Sequence, residues 1–153
     1  MVRLAKTLLQ NAGKRKKRGR VVGGTTVRSN TEFPEYGGIK TSGNSHFCGS
    51  TILDSNHILT AAHCQVNAGQ DKVIVGTVER SGAGGTHHVL EKCTRHPNAN
   101  NGNGIWDSDY EICKIKPPIA LDGRTKKITT LGTNAEYNQY VKTGQASCLM
   151  GKY

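Results

Sequence analysis

Short apolar runs alternate with turn residues through the middle of this chain. Runs of this kind, bounded by glycine, asparagine, aspartate or proline, favour β-strands over helices. We predict strands at about 36–41, 46–53, 56–60, 72–76 and 86–93, and a last one leading from Asp109 to the prolines at 117–118. Proline ends that strand because it cannot donate to a strand ladder. The pattern therefore predicts an all-β fold.

Composition agrees with short strands and many turns. The chain has 153 residues, which fits one domain, with 19 glycines and only 5% aromatic residues. No stretch approaches the roughly 20 apolar residues of a membrane-spanning helix. We therefore expect no membrane partner.

The net charge of +10 is concentrated in residues 1–20, which hold eight basic residues and no acid. The rest is nearly balanced, with 13 basic and 11 acidic residues, so a nucleic-acid partner is not expected. The basic run at 14–18 predicts a solvated, self-repelling segment. It is open to interpretation as an expression leader, a nuclear-type or heparin-binding patch, or a processing site.

One segment joins two strands and ends in a histidine. Apolar runs at 51–53 and 57–60 flank an Asp-Ser-Asn turn, and Cys48 and Cys64 stand at the two ends of the segment. A disulfide between these cysteines would fix the position of His63, and a loop of this length is worth about 3 kcal/mol.

The residues Cys-Gly-Ser-Thr-Ile-Leu and Leu-Thr-Ala-Ala-His-Cys resemble the histidine box of the trypsin/chymotrypsin family of serine proteases. The resemblance implies that His63 is the general base; the alternative is a buried structural histidine beside a disulfide. Upstream, Arg20-Val21-Val22-Gly23-Gly24 resembles the family's activation junction. Cleavage after Arg20 would free the amino group of Val21 to pair with a buried carboxylate.

The segment from Trp106 to Lys116 resembles the family's aspartate box and implies that Asp109 orients His63. Asp109 lies 46 residues after His63, close to the family interval. Asp107 competes for this role, but the strand pattern that follows favours Asp109.

Two residues depart from the family pattern, since Glu111 replaces a small alanine and Cys113 replaces a leucine. Glu111 brings a second carboxylate near the site or points outward. For Cys113 we hypothesise a disulfide with Cys93 across neighbouring antiparallel strands. The fifth cysteine, Cys148, has no evident partner.

The resemblance implies a single six-stranded antiparallel Greek-key barrel, the first of the family's two. We expect a basic leader at 1–20, the barrel at 21–122, and an inter-barrel connection with the start of a second barrel at 123–153. The nucleophile motif Gly-Asp-Ser-Gly-Gly does not occur in this sequence, and Lys152 stands where the family has a tryptophan. We therefore expect an N-terminal half, as a fragment or truncated product, that is inactive alone.

The implied function is a secreted serine endopeptidase made as a zymogen, although no signal peptide is visible. Its partners would be a polypeptide substrate, an activating protease and a protease inhibitor. The alternative is a non-catalytic homologue that binds a partner or an inhibitor. No cofactor or metal is expected, because the adjacent His87 and His88 face opposite sides of a strand. Both are predicted to lie on the surface.

Overall fold

A computed structural model describes residues 26–99 and 108–130. Within these ranges it contains no α-helix, and its strands lie where the sequence predicts them. The strands are β1 (Tyr36–Lys40), β2 (His46–Ile52), β3 (His57–Thr60), β4 (Lys72–Val75), β5 (Thr86–Arg95) and β6 (Glu111–Lys116). A 3-10 turn, Ala62–Cys64, follows β3.

The six strands close into one barrel in the order β1-β2-β3-β6-β5-β4. Every neighbouring pair is antiparallel, including β1 with β4, which closes the barrel. Strand β6 lies between β3 and β5, so it is next to the strand that leads to His63. The predicted all-β barrel is confirmed.

The β2–β3 hairpin brings His63 to the end of the barrel. At its turn Asp54 Oδ1 accepts a hydrogen bond from the backbone N–H of Asn56 at 2.6 Å. The paired positions Thr51↔Leu59 and Ile52↔Ile58 follow directly. The predicted Asp-Ser-Asn turn therefore sets the register of β3.

Alternation along β6 separates the barrel interior from its surface. Glu111, Cys113 and Ile115 are buried, while the residues between them are exposed. Cys113 and Ile115 belong to a mainly aliphatic core. Its members are Ile39, Ile52, Ile58, Val73, Val75, Leu90, Cys113, Ile115 and Ile119.

A β-bulge in β5 changes which side chains face this core. Leu90 pairs with Ile115, yet Lys92 already pairs with Lys114, so Glu91 is an extra residue. A regular strand would turn every second residue after Leu90 inward and leave Cys93 outside. The bulge instead places Cys93 against the core.

His88 contradicts the prediction that both adjacent histidines lie on the surface. It is 3% exposed, and its Nδ1 lies 2.6 Å from the carbonyl oxygen of Pro117. Its Nε2 lies 2.8 Å from the hydroxyl of Thr86. Only His87 is exposed, because neighbours on a strand face opposite sides. The alternation with Leu90, two residues on, was the signal that could have predicted this burial.

No helix within the described residues combines the length and apolar character needed to cross a bilayer.

Candidate active site

His63 is held at the barrel end by the chain on both sides of it. It lies in the 3-10 turn that continues β3. The next residue, Cys64, forms the expected disulfide with Cys48 of β2, with a Cα–Cα distance of 6.2 Å. Thr60, just before the turn, donates a hydrogen bond to the carbonyl of Gly49 at 2.8 Å. Both links run to β2, so the turn cannot move far from the barrel.

Asp109 reaches the same end of the barrel just before β6. Ser108 has a left-handed backbone with φ of 55°, and its carbonyl accepts the N–H of Tyr110 at 2.7 Å. The carbonyl of Tyr110 in turn accepts the N–H of His96, and the rings of these two residues lie 4.8 Å apart. This tight turn aims the Asp109 side chain toward β3.

The structure brings His63 and Asp109 into two-point contact. Asp109 Oδ2 lies 2.6 Å from Nδ1 of the imidazole, and Oδ1 accepts the backbone N–H of His63 at 2.8 Å. Because one carboxylate holds both the ring and the backbone, it restricts the ring's rotation. The His63 side chain is nevertheless 53% exposed, against 22% for Asp109.

The protonation of the pair follows from this contact. The hydrogen bond from His63 lowers the pKa of Asp109, which is therefore an anion at neutral pH. An anionic partner accepts a proton from Nδ1, so Nε2 is the basic nitrogen of the neutral ring. A half-exposed imidazole in this tautomer can take a proton from an acidic group that approaches Nε2.

Glu111 lies inside the barrel rather than on its outer face. It pairs across the strands with Thr60 on one side and Arg95 on the other. Its Oε2 is 3.7 Å from Nη2 of Arg95, an ion-pair contact too long for a hydrogen bond. Burial raises the pKa of this carboxyl, against the opposing effect of Arg95. Glu111 therefore does not point outward, which was one of the two alternatives left open by the sequence.

The hypothesised disulfide between Cys93 and Cys113 is present, with Cα atoms 4.0 Å apart on directly paired positions. Among the described residues, two clusters contain atoms of the kinds that bind metal ions, and each cluster includes one of the two disulfides. A sulfur in a disulfide is not the thiolate that binds metal ions. Neither group is therefore suited to hold a metal while its disulfide is intact.

The remaining predicted site residues, Arg20, Val21 and the competing Asp107, lie outside the described residues, as does Cys148.

An antiparallel barrel in which one carboxylate holds an exposed histidine by its ring and its backbone is similar in arrangement to the base-and-orienter half of a serine hydrolase site. The family model described as Trypsin matches residues 21–152. The chain therefore belongs to the trypsin family.

Individual relatives agree with this assignment. The chain is 32% identical to trypsin zeta of Drosophila erecta over 75% of its own length and 43% of the relative. It is 31% identical to fibrinolytic enzyme, isozyme C, of Lumbricus rubellus, over 80% of its length and 52% of the relative. The chain thus spans about half the length of these relatives.

A solved structure supports the fold independently. The mouse brain serine protease neuropsin superposes with a TM-score of 0.62 at 21% identity, over 72% of this chain and 48% of that one. Similarity at this identity concerns the fold alone.

Proposed function

We propose that this chain supplies the general base and the orienting carboxylate of a serine endopeptidase. The observation that carries the proposal is the two-point contact of Asp109 with His63, at 2.6 and 2.8 Å. Contact with Nδ1 alone would occur in many structural histidines. The second contact, to the backbone N–H, fixes the carboxylate relative to the turn that presents the ring.

In the proposed reaction, His63 Nε2 takes the proton of a serine hydroxyl as that oxygen attacks a peptide carbonyl. Asp109 stabilises the resulting imidazolium and remains ionised. The serine and the backbone N–H groups that hold the oxyanion are proposed to come from a second barrel, as in the trypsin family. The motif that would contain that serine is not among these 153 residues, so we expect no hydrolysis by this chain alone.

The proposal includes activation by cleavage after Arg20, which would make Val21 a new amino terminus. The domain boundaries at 20–21 and 122–123 belong to this proposal. Its partners are a polypeptide substrate, an activating protease and an inhibitor. The two disulfides support an oxidising, extracellular location.

A fluorophosphonate probe tests the proposal, because it labels only a serine that a neighbouring base activates. The protein encoded by the full transcript, cut after Arg20, should be labelled, and the 153-residue chain should not. His63→Ala in the longer protein should reduce labelling by at least about 10³-fold.

His57→Ala is the matched control for that test. His57 also pairs with an aspartate, Asp54, at 2.9 Å, but lies at the hairpin turn. Its loss should leave labelling unchanged. Labelling that survives His63→Ala, or that both variants lose equally, would contradict the proposed role of His63.

The alternative function is a non-catalytic homologue that binds a partner or an inhibitor. The contact between Glu111 and Arg95 favours it, because a buried carboxyl beside an arginine replaces the small residue that the family pattern has at this position. The coding sequence beyond Tyr153 discriminates between the two. A downstream Gly-Asp-Ser-Gly-Gly supports the enzyme, and glycine in place of that serine supports the homologue.

A further inference from the structure

The disulfide between Cys93 and Cys113 has an unusual neighbour. A carboxyl oxygen of Glu111 and both sulfur atoms lie within 4.8 Å of one another. Cys113 is fully buried, whereas Cys93 is only partly buried. The two cysteines are therefore unequal, since Cys93 is the more exposed residue while Cys113 is enclosed beside an acid.

The Glu111 carboxyl is available to exchange a proton. Its Oε2 is buried and accepts no hydrogen bond within the described part of the chain. The charged group that faces it is Arg95 of β5, at 3.7 Å, and its partner on β3 is the uncharged Thr60. Burial favours the neutral acid over the carboxylate and so raises its pKa. The protonated form that burial favours places an acid next to the disulfide, where it can protonate a departing thiolate.

We propose that Cys93, Cys113 and Glu111 form a thiol–disulfide exchange site that reacts with a dithiol reductant. A thiolate of the reductant attacks Cys93 Sγ and forms a mixed disulfide. The bond between the two cysteine sulfurs breaks, and its electron pair goes to Cys113 Sγ, which takes the proton of Glu111.

The second step restores the balance of the reaction. The second thiol of the reductant, as a thiolate, attacks the reductant's first sulfur, which is bonded to Cys93 in the mixed disulfide. Cys93 leaves as a thiolate and is protonated by water, as is the Glu111 carboxylate. The reductant is oxidised to its internal disulfide, and the protein disulfide takes up two electrons and two protons.

In this reaction the proton donor must lie beside the sulfur that leaves as a thiolate. Thiol–disulfide exchange is faster when the departing thiolate is stabilised. Attack on Cys93, the more exposed of the two, makes the buried Cys113 the leaving group, and a buried thiolate is costly unless it is neutralised. Reduction would remove the crosslink between β5 and β6.

The rate of reduction by dithiothreitol at neutral pH tests the proposal in the full 153-residue chain. Free thiol is first blocked with N-ethylmaleimide, and samples are then quenched with iodoacetamide and mapped by peptide mass spectrometry. Glu111→Gln should slow reduction of Cys93–Cys113 by at least about tenfold. The Cys48–Cys64 disulfide is the internal control, because a general change in folding or reagent activity would alter its reduction as well. Its rate of reduction should be the same in Glu111→Gln and in the unmodified chain.

Two further variants separate proton donation from packing. Glu91→Gln removes an exposed carboxylate that pairs with Lys114 at 3.1 Å in the same two strands, and should have no effect. Glu111→Asp keeps an acid at shorter reach and should recover part of the lost rate. The proposal is wrong if Glu111→Gln is reduced no more slowly than the unmodified chain, if both disulfides slow equally, or if Glu111→Asp is no faster than Glu111→Gln.

Discussion

At the scale of single residues, three titratable side chains of one small barrel differ in how the fold shifts their pKa. Asp109 is an anion because His63 donates to it. Burial shifts Glu111 toward the neutral acid by raising its pKa, although Arg95 lies 3.7 Å away and opposes this shift. His88 tends toward the neutral ring because burial and the nearby Lys126 both lower its pKa. Neighbours, rather than residue type, decide each charge.

His88 predicts a pH dependence of folding. Its pKa is lower in the folded protein than in the unfolded chain, so the unfolded chain binds the proton more readily. The stability from the neutral ring is complete above the ordinary histidine pKa of about 6.5. It is lost as the pH falls from there through the lower folded pKa.

Urea unfolding between pH 7 and pH 5 measures this effect. The fall in unfolding free energy should be smaller in His88→Gln than in the unmodified chain. His87→Gln is the matched control, because His87 is the exposed neighbour on the same strand. Equal slopes in all three proteins would show that His88 does not titrate with folding.

At the scale of elements, the bulge in β5 explains how the second disulfide forms. Glu91 is the extra residue between the pairs Leu90↔Ile115 and Lys92↔Lys114, and pairing is regular again at Cys93 and Cys113. The sequence predicted a strand here and a possible disulfide, but not the bulge between them. A bulge depends on the partner strand, and local alternation contains no information about that partner.

Deletion of Glu91 tests this account. Without the extra residue, β5 becomes a regular strand in which Leu90 and Cys93 both still face inward. The disulfide should therefore form, and the unfolding free energy should change by less than about 1 kcal/mol, the value of the exposed pair with Lys114. Thiol titration and urea unfolding give the two measurements.

Deletion of Thr94 is the contrasting variant. Thr94 has its own partner, Ile112, so its loss draws Arg95 away from Glu111. This deletion should be clearly more destabilising than loss of Glu91. Free thiols at Cys93 and Cys113 after deletion of Glu91 would refute the bulge as the cause of their alignment.

At the scale of the whole molecule, closure of the barrel depends on close contact between β1, β2 and β4. Gly37 pairs with Ser50 on one side and Val75 on the other. A Cβ atom at Gly37 would lie 2.7 Å from Ser50 Oγ and 2.7 Å from Val73 Cγ2. Both distances are shorter than real Cβ contacts, so a side chain here forces the strands apart.

Gly37→Ala should therefore lower the unfolding free energy by about 1–3 kcal/mol, as overpacked core sites do. Gly43→Ala is the control, because its Cβ would meet only Thr41 Oγ1, at 3.7 Å. That change should stay within about 0.5 kcal/mol. Urea unfolding compares the two, and equal stabilities would mean that β1 is not tightly enclosed.

The sequence by itself determined the strand positions and the two residues that meet at the site. Turn residues separate the strands locally, and the motifs around His63 and Asp109 are contiguous in the chain. Only the tertiary structure decided that Glu111 faces inward toward Arg95 and that a bulge in β5 aligns Cys93 with Cys113. Each of these depends on which strands become neighbours when the barrel closes, and that choice is made by contacts between residues far apart in the sequence.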